Sequence, residues 1–141
     1  QPPVTSTTDT LAGTPTLAGN YTFSESVADS GSPTEMATQN YSVTVLPQPP
    51  TNLTGSPQTT SIITLTWNAS AAQDITGYRI HYGTSSGVYT TTISAGNVNQ
   101  YVVMGLSTAT TYYFVVDTIS TSGVESVFSN EVAVATQQPS P

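Results

Sequence analysis

The amino-acid sequence predicts an all-β protein built around an antiparallel β-sandwich. Apolar and polar residues alternate over most short segments, which is the period of a strand with one buried face. Clusters of Gly, Asn and Ser separate these segments and are typical of tight turns. No run among the 141 residues places apolar side chains at helical spacing over three turns, so no helix is expected.

The larger, C-terminal part of the chain contains seven predicted strands. Most are recognised by in-facing residues two positions apart, as in SIITLTW and GYRIHY, and one short strand is expected over residues 89–93. The in-facing residues of the other strands are Leu53; Ile63, Leu65 and Trp67; Tyr78, Ile80 and Tyr82; Tyr101 and Val103; Tyr112, Phe114 and Val116; and Val132 and Val134. Such a set indicates two packed antiparallel sheets.

The stretch LPQPPT, residues 46–51, is the clearest break in the chain. Prolines hold the backbone extended and cannot donate to a strand ladder. We therefore predict a partial β segment over residues 1–47, a proline-rich linker over 48–51, a sandwich domain over 52–136 and a polar tail over 137–141.

In the first segment, GNYTFSESVAD places Tyr21, Phe23 and Val27 on one face of a strand, together with Glu25. A carboxylate is costly in a closed core without a donor. The slot of Glu25 is therefore expected to face a partner, or else to lie at an edge with its side chain turned to water.

The composition argues against several classes of function. Only 6% of the residues are charged, Arg79 is the single Lys or Arg, and the net charge is -7. Such a chain cannot neutralise the phosphates of a nucleic acid, so no nucleic-acid binding is expected. An anionic membrane surface is disfavoured for the same reason. No segment approaches the roughly 18 apolar residues of a spanning helix, so no membrane insertion is expected. The absence of Cys excludes disulfides and thiolate metal sites.

Residues 49–136 resemble a fibronectin type III domain. The resemblance rests on PPTNLT, SIITLTW, DITGYRIHYG, LSTATTYYFVV and GVESVFSNEVAVAT. It implies a seven-stranded sandwich in which Tyr112 forms a tyrosine corner, its hydroxyl bonding back to the backbone. Thr108 departs from the family's usual Pro. The structural residues that we assign on this basis are Trp67, Tyr78, Leu106, Tyr112 and Phe114.

The first segment resembles the second half of bacterial Ig-like domains. The matching residues are Gly13, Thr14, Pro15, Ala18, Gly19, Tyr21, Phe23, Val27 and Asp29, with Tyr41, Val43 and Val45 on a closing strand. Glu25 departs from this pattern, in which the family has an apolar residue. Such domains have several more strands upstream, whereas only about twelve residues, rich in Thr and largely polar, precede the motif here.

About half a sandwich is marginal alone, because two strands bury too little surface to offset chain entropy. Three explanations stay open: the chain is a fragment, the ribbon lies on the second domain, or a neighbouring chain supplies the missing strands. The residues that we predict for such an interface are Tyr21, Phe23, Glu25, Tyr41 and Tyr113. Six tyrosines have in-facing parity and are expected in a core, namely Tyr21, Tyr41, Tyr78, Tyr82, Tyr101 and Tyr112, whereas Tyr89 and Tyr113 are expected to be exposed.

No pattern in the sequence predicts catalysis or a cofactor. His81 is the one histidine, and its parity predicts an exposed position beside Arg79. One histidine supports neither a multi-histidine metal site nor a convincing catalytic triad. The eight carboxylates are scattered, and Asp29 and Asp74 are expected to serve turns. Phe128 is expected to cover the end of the sandwich.

These observations favour a non-catalytic structural or adhesive module at an extracellular, bacterial cell surface. The expected partners are further copies of the chain or other surface proteins, and glycans are a third class. One hypothesis is a filament subunit whose first segment pairs with strands of the next subunit. The alternative is a spacer module of a larger secreted enzyme that degrades polysaccharides.

Overall fold

A computed structural model describes Thr10 and residues 12–141 of the chain. It contains nine strands, and all strand pairs are antiparallel. Within these residues no helix is found, and therefore none that could cross a membrane. The predicted all-β fold is confirmed.

The last seven strands form two sheets that pack as a sandwich. The first sheet has the order β3-β4-β7 and the second has the order β6-β5-β8-β9. The strands are β3 (Thr51–Pro57), β4 (Ile63–Asn68), β5 (Ile75–Gly83), β6 (Thr91–Gly96), β7 (Gln100–Val103), β8 (Thr111–Ser120) and β9 (Val132–Ala135). The strand predicted over residues 89–93 begins two residues later than expected and continues to Gly96.

The core of the sandwich consists of the in-facing residues of these strands. Trp67 and Tyr78 meet at its centre with an edge-to-face contact, their ring centroids 5.6 Å apart. The fully enclosed members are Leu53, Ile63, Leu65, Trp67, Tyr78, Ile80, Val103, Phe114 and Val116. Burial of this apolar set is the main source of the domain's stability.

At Gly55 on β3, the backbone of the first sheet lies close to a side chain of the second sheet. A Cβ atom at this position would overlap the side chain of Val134 on β9. A larger residue at position 55 would therefore push the sheets apart at this edge of the sandwich.

The first two strands form a separate hairpin, β1 (Gly19–Ala28) and β2 (Met36–Val45). The register is unbroken from the pair of Gly19 and Val45 at the base to the pair of Ala28 and Met36 beside the turn. The turn between them is organised by Asp29, whose Oδ1 accepts hydrogen bonds from the N–H groups of Gly31 at 3.1 Å and Glu35 at 2.9 Å. Such local bonds are the usual function of an aspartate at a turn.

Candidate functional site

The hairpin exposes an apolar sheet face. Because cross-strand partners share a face, the side chains of Tyr21, Phe23 and Val27 on β1 lie beside those of Val43 and Tyr41 on β2. Their exposed fractions are 45%, 38%, 62%, 47% and 43%, respectively. Exposed apolar patches of this kind are typical of interaction surfaces.

Two of the predicted core tyrosines are therefore not buried within the part of the chain that the structure describes. Tyr21 and Tyr41 have the predicted parity, but no second layer of the described residues covers them. Tyr21 donates a hydrogen bond to the carbonyl of Leu17 at 3.0 Å, and Tyr41 stacks on Phe23 with ring centroids 5.3 Å apart.

Glu25 lies in the middle of this apolar face and is exposed to solvent. The hydroxyl of Tyr41 lies 3.5 Å from its Oε2, at the limit of a hydrogen bond. Gln39 is its register partner on β2. The carboxylate therefore stays hydrated and needs no buried donor within this chain.

The opposite face of the hairpin is polar. It carries Asn20, Thr22 and Ser24 on β1, and the Asn20 side chain accepts a hydrogen bond from the hydroxyl of Thr44 at 2.6 Å. Within the described residues, each hairpin strand also has one edge that pairs with no other strand. The hairpin thus offers two kinds of contact surface, one apolar face and two strand edges.

A small joint connects the hairpin to the sandwich at Ala18. Its N–H donates to Oδ2 of Asp74 at 2.8 Å, and its carbonyl accepts from the hydroxyl of Ser122 at 2.9 Å. After the second strand of the hairpin, the carbonyl of Gln48 accepts a hydrogen bond from the hydroxyl of Ser70 at 2.6 Å. These bonds tie the base of the hairpin to the sandwich while the rest of the ribbon projects away from it.

The structural residues proposed from the sequence lie in the sandwich. Trp67, Tyr78 and Phe114 are fully enclosed, and Leu106 and Tyr112 are buried. The Tyr112 hydroxyl accepts a hydrogen bond from the N–H of Ser107 at 2.9 Å. This contact ties the bend before β8 to the strand itself.

The histidine is placed differently from the prediction. His81 is largely covered, and its Nε2 lies 3.2 Å from Oδ2 of Asp117 while its Nδ1 lies 3.1 Å from the Thr92 hydroxyl. Phe128 packs over its ring at 5.0 Å and meets Tyr89 at 5.6 Å. Phe128 therefore covers the outer face of the second sheet rather than the end of the sandwich.

Asp117 is a buried carboxylate that the sequence analysis did not single out. It is 1% exposed, and its Oδ1 has no hydrogen-bond partner within the described residues. Burial raises the pKa of Asp117 above its usual value, and the nearby His81 opposes this rise. Arg79 does not lie free on the surface, because it forms an ion pair with Glu125.

A second unpredicted cluster surrounds Glu131. Its carboxylate accepts hydrogen bonds from the hydroxyls of Ser86 and Tyr89, both at 2.6 Å, and from the Gly87 N–H at 2.9 Å. These bonds lower the pKa of Glu131, and burial together with Glu131 raises the pKa of Tyr89 to about 12. Tyr89 and Tyr113 are half-buried rather than exposed as predicted.

The imidazole of His81 lies between the hydroxyl of Thr92 and the carboxylate of Asp117, as in a hydrolytic triad, but the surroundings do not support catalysis. The hydroxyl lies on an edge strand, and none of the four main clefts in the described part of the chain is lined by these residues. Among residues 10 and 12–141, no group of three or more His, Asp or Glu side chains is placed to hold a metal ion. The arrangement is that of a structural polar network.

Comparisons with known proteins include both parts of the molecule. Chitinase A1 of Niallia circulans is 34% identical over 143 residues, covering 94% of this chain and 20% of that protein. This share of the chain is too large to be confined to the sandwich, so the similarity extends into the hairpin segment. The chain spans about a fifth of the length of this relative.

Solved structures resemble the sandwich. A Fn3-like protein from Clostridium thermocellum is 35% identical, with a TM-score of 0.54 over 69% of this chain and 98% of that one. The fn3 domain of human collagen alpha-1(XX) has a TM-score of 0.59 over 70% of this chain and 93% of that one, and its 22% identity indicates a shared fold alone.

The family model for the fibronectin type III domain matches residues 48–135. These residues include all seven strands of the sandwich. The chain therefore belongs to the fibronectin type III family.

Proposed function

We propose that the chain is a non-catalytic spacer module of a larger extracellular protein that degrades a polysaccharide. The observation that carries this proposal is the match to a chitinase, which extends over nearly the whole chain but only 20% of that relative. Domains of the fibronectin type III family are generally non-catalytic. Of the two functions that the sequence left open, this comparison favours the alternative.

The geometry supports a spacing role. The sandwich has a closed apolar core, and the joint at Ala18 fixes the base of the hairpin with two hydrogen bonds. The surface is rich in hydroxyl groups and has few charged residues, which suits contact with an uncharged polysaccharide. Extracellular location and contact with glycans are parts of this proposal.

The test is the size of the native polypeptide that carries this sequence. An antibody raised against the sandwich domain should detect a secreted protein much larger than 14.7 kDa, and enrichment should recover polysaccharide hydrolysis with it. The isolated 141-residue chain serves as the control and should hydrolyse no chitin. Detection of a mature native protein of 14.7 kDa would contradict the spacer role.

A second candidate function is a subunit of an extracellular filament. It is favoured by the two strand edges of the hairpin that pair with no strand of the described residues, because an exposed edge can accept a strand from another chain. Light scattering over a hundredfold range of concentration tests this candidate. Growing, open-ended species would support it, and a constant mass of 14.7 kDa would reject it.

A further inference from the structure

On one side of the sandwich, both sheets end in an incompletely paired strand. In the part of the chain that the structure describes, β9 pairs with β8 only from Thr111 to Phe114 and leaves the rest of that edge without a strand. In the first sheet, β3 is an edge strand, and its pairing with β4 is interrupted between Thr51 and Thr54. Free N–H and C=O groups on such edges can accept a strand from another chain.

A short segment, residues 126–130, binds backbone groups on both of these edges, and we call it the edge segment. The N–H of Ser126 donates to the carbonyl of Thr118 at 2.9 Å, and the hydroxyl of Ser126 accepts from the N–H of Thr118 at 2.9 Å. Ser129 binds Val116 in the same way, at 2.8 Å and 3.0 Å. The two serines therefore satisfy β8 beyond the point where β9 ends.

Asn130 satisfies the edge of β3. Its side-chain oxygen accepts a hydrogen bond from the N–H of Leu53, and its side-chain amide donates to the carbonyl of Leu53, both at 2.9 Å. Leu53 lies within the interruption of the pairing between β3 and β4. Each of the three polar residues of the edge segment thus makes two bonds to one residue, as a directly opposite residue of a neighbouring strand would.

The edge segment does not itself provide a regular edge for another strand. Two residues lie between its serines, whereas only Asp117 lies between their partners on β8, so the segment contains a bulge, which disrupts a ladder. The hydroxyl of Ser126 also donates to the carbonyl of Val127 at 2.7 Å. The hydroxyl of Ser129 donates to the carbonyl of Asn130 at 2.9 Å. These two carbonyls are therefore already bonded within the segment.

We propose that the edge segment prevents strands of other chains from adding to this side of the sandwich. It occupies the N–H and C=O groups of β8 and β3 that an added strand would need, and its bulge interrupts any ladder beyond it. Phe128 helps to hold the segment in place, because its ring packs on His81 with centroids 5.0 Å apart. This inference goes beyond the spacer role and does not depend on it.

Hydrogen exchange and sedimentation velocity of the 141-residue chain test the proposal on β8. A double variant, Ser126→Ala with Ser129→Ala, removes both hydroxyl acceptors, so exchange of the Val116 and Thr118 amides should accelerate about tenfold. Raising its concentration should slow these two amides again and produce larger species than the parent chain forms, because strands of other copies cover the freed edge. Ser94→Ala, at an exposed serine of β6, is the matched control and should change neither measurement.

Further variants separate the proposal from a general loss of stability, and Trp67 fluorescence verifies that each sandwich is folded. Ser126→Thr with Ser129→Thr retains both hydroxyls and should restore the exchange rates and the mass of the parent chain.

The edge of β3 gives an independent test. Asn130→Ala removes the acceptor of the Leu53 N–H, so exchange of this amide should accelerate about tenfold and association should increase. Asn130→Asp keeps that acceptor and should leave the Leu53 exchange rate unchanged. Unchanged exchange in the alanine variants, or faster exchange without concentration-dependent association, would overturn the proposal.

Discussion

Strands β1 and β8 have the same length and the same kind of alternation, but they differ completely in burial. β8 lies between two sheet neighbours and packs on the opposite sheet, so most of its ten residues are buried. Among residues 10 and 12–141, β1 pairs with one neighbour only, and all of its residues except Gly19 are exposed. Alternation therefore indicates which residues share a face, whereas coverage of that face depends on a second layer elsewhere in the chain or in a partner.

The largest contrast is expected from equivalent truncations in the two regions. Phe114→Ala should lower the free energy of unfolding of the sandwich by about 3–5 kcal/mol, because it leaves a cavity in a closed core. Phe23→Ala should change that free energy by less than about 0.5 kcal/mol, because its ring is exposed and far from the sandwich core. Urea denaturation followed by Trp67 fluorescence measures both. Equal losses would show that the hairpin and the sandwich unfold as one unit.

A glycine pair sharpens the same contrast. Gly55→Ala should destabilise the sandwich by about 1–3 kcal/mol, because its Cβ overlaps Val134 in the opposite sheet. Gly13→Ala, before the hairpin, meets open space and should be neutral. Thermal melting compares the two variants. A neutral Gly55→Ala would mean that the sheets separate at this edge without cost.

The joint between the regions should have a smaller effect. Asp74→Ala removes the acceptor of the Ala18 N–H and should cost about 0.5–1.5 kcal/mol of local stability. Hydrogen exchange of the Ala18 amide should accelerate about threefold to tenfold, since 1.4 kcal/mol is a factor of ten. The Phe23 amide within the hairpin serves as the control and should keep its rate. Unchanged exchange at Ala18 would show that the joint does not hold the hairpin base.

The smallest effect concerns pH, and the two unusual carboxylates should act in opposite directions. The pKa of Asp117 is raised from its ordinary 3.8, mainly by burial, so its folded form retains a proton that the unfolded form has lost. Its contribution to stability is therefore greatest at low pH and is lost as pH rises through the raised pKa. The pKa of Glu131 is lowered by its three hydrogen bonds, so its contribution is present above the ordinary range and is lost as pH falls.

Urea titrations of Asp117→Asn and Glu131→Gln from pH 3 to pH 7 test these signs, with pH values chosen to span ordinary carboxyl pKa values. Relative to the parent chain, the first variant should gain stability as pH rises and the second should lose it. Parallel profiles for both variants would contradict the assigned directions.

The fold was predictable from the sequence because its signals are local. Trp67, Tyr78 and Phe114 lie at positions of regular alternation, and prolines and glycines mark the turns between strands. The Ig-like resemblance of the hairpin segment remains a prediction, since two strands do not define that fold. The prediction that Tyr21 and Tyr41 lie in a core was wrong for the described residues. Strand parity identifies the face on which a side chain lies, but it does not show that a second layer covers that face.

The polar clusters could not be predicted because they depend on long-range register. His81 meets Asp117 across the β5–β8 ladder, 36 positions away in sequence. Glu131 reaches Ser86, Gly87 and Tyr89 across more than 40 positions. In the run GVESVFSNE, Phe128 precedes the alternating strand and is not part of its in-facing set. This position was a sequence signal that Phe128 packs outside the core, where it covers His81.

The joint at Ala18 also determines how the molecule responds to tension. Gly19 and Val45 are partners at the base of the hairpin, so a pull on the preceding and following residues would open the ribbon one pair at a time. Ala18 bypasses this weak path, because its bonds to Asp74 and Ser122 pass the load directly to the sandwich. When those two bonds break, the hairpin would unfold and extend to about 90 Å while the sandwich stays folded. The hairpin is thus a reserve of chain length, and the hydrogen bonds at Ala18 prevent its release under tension.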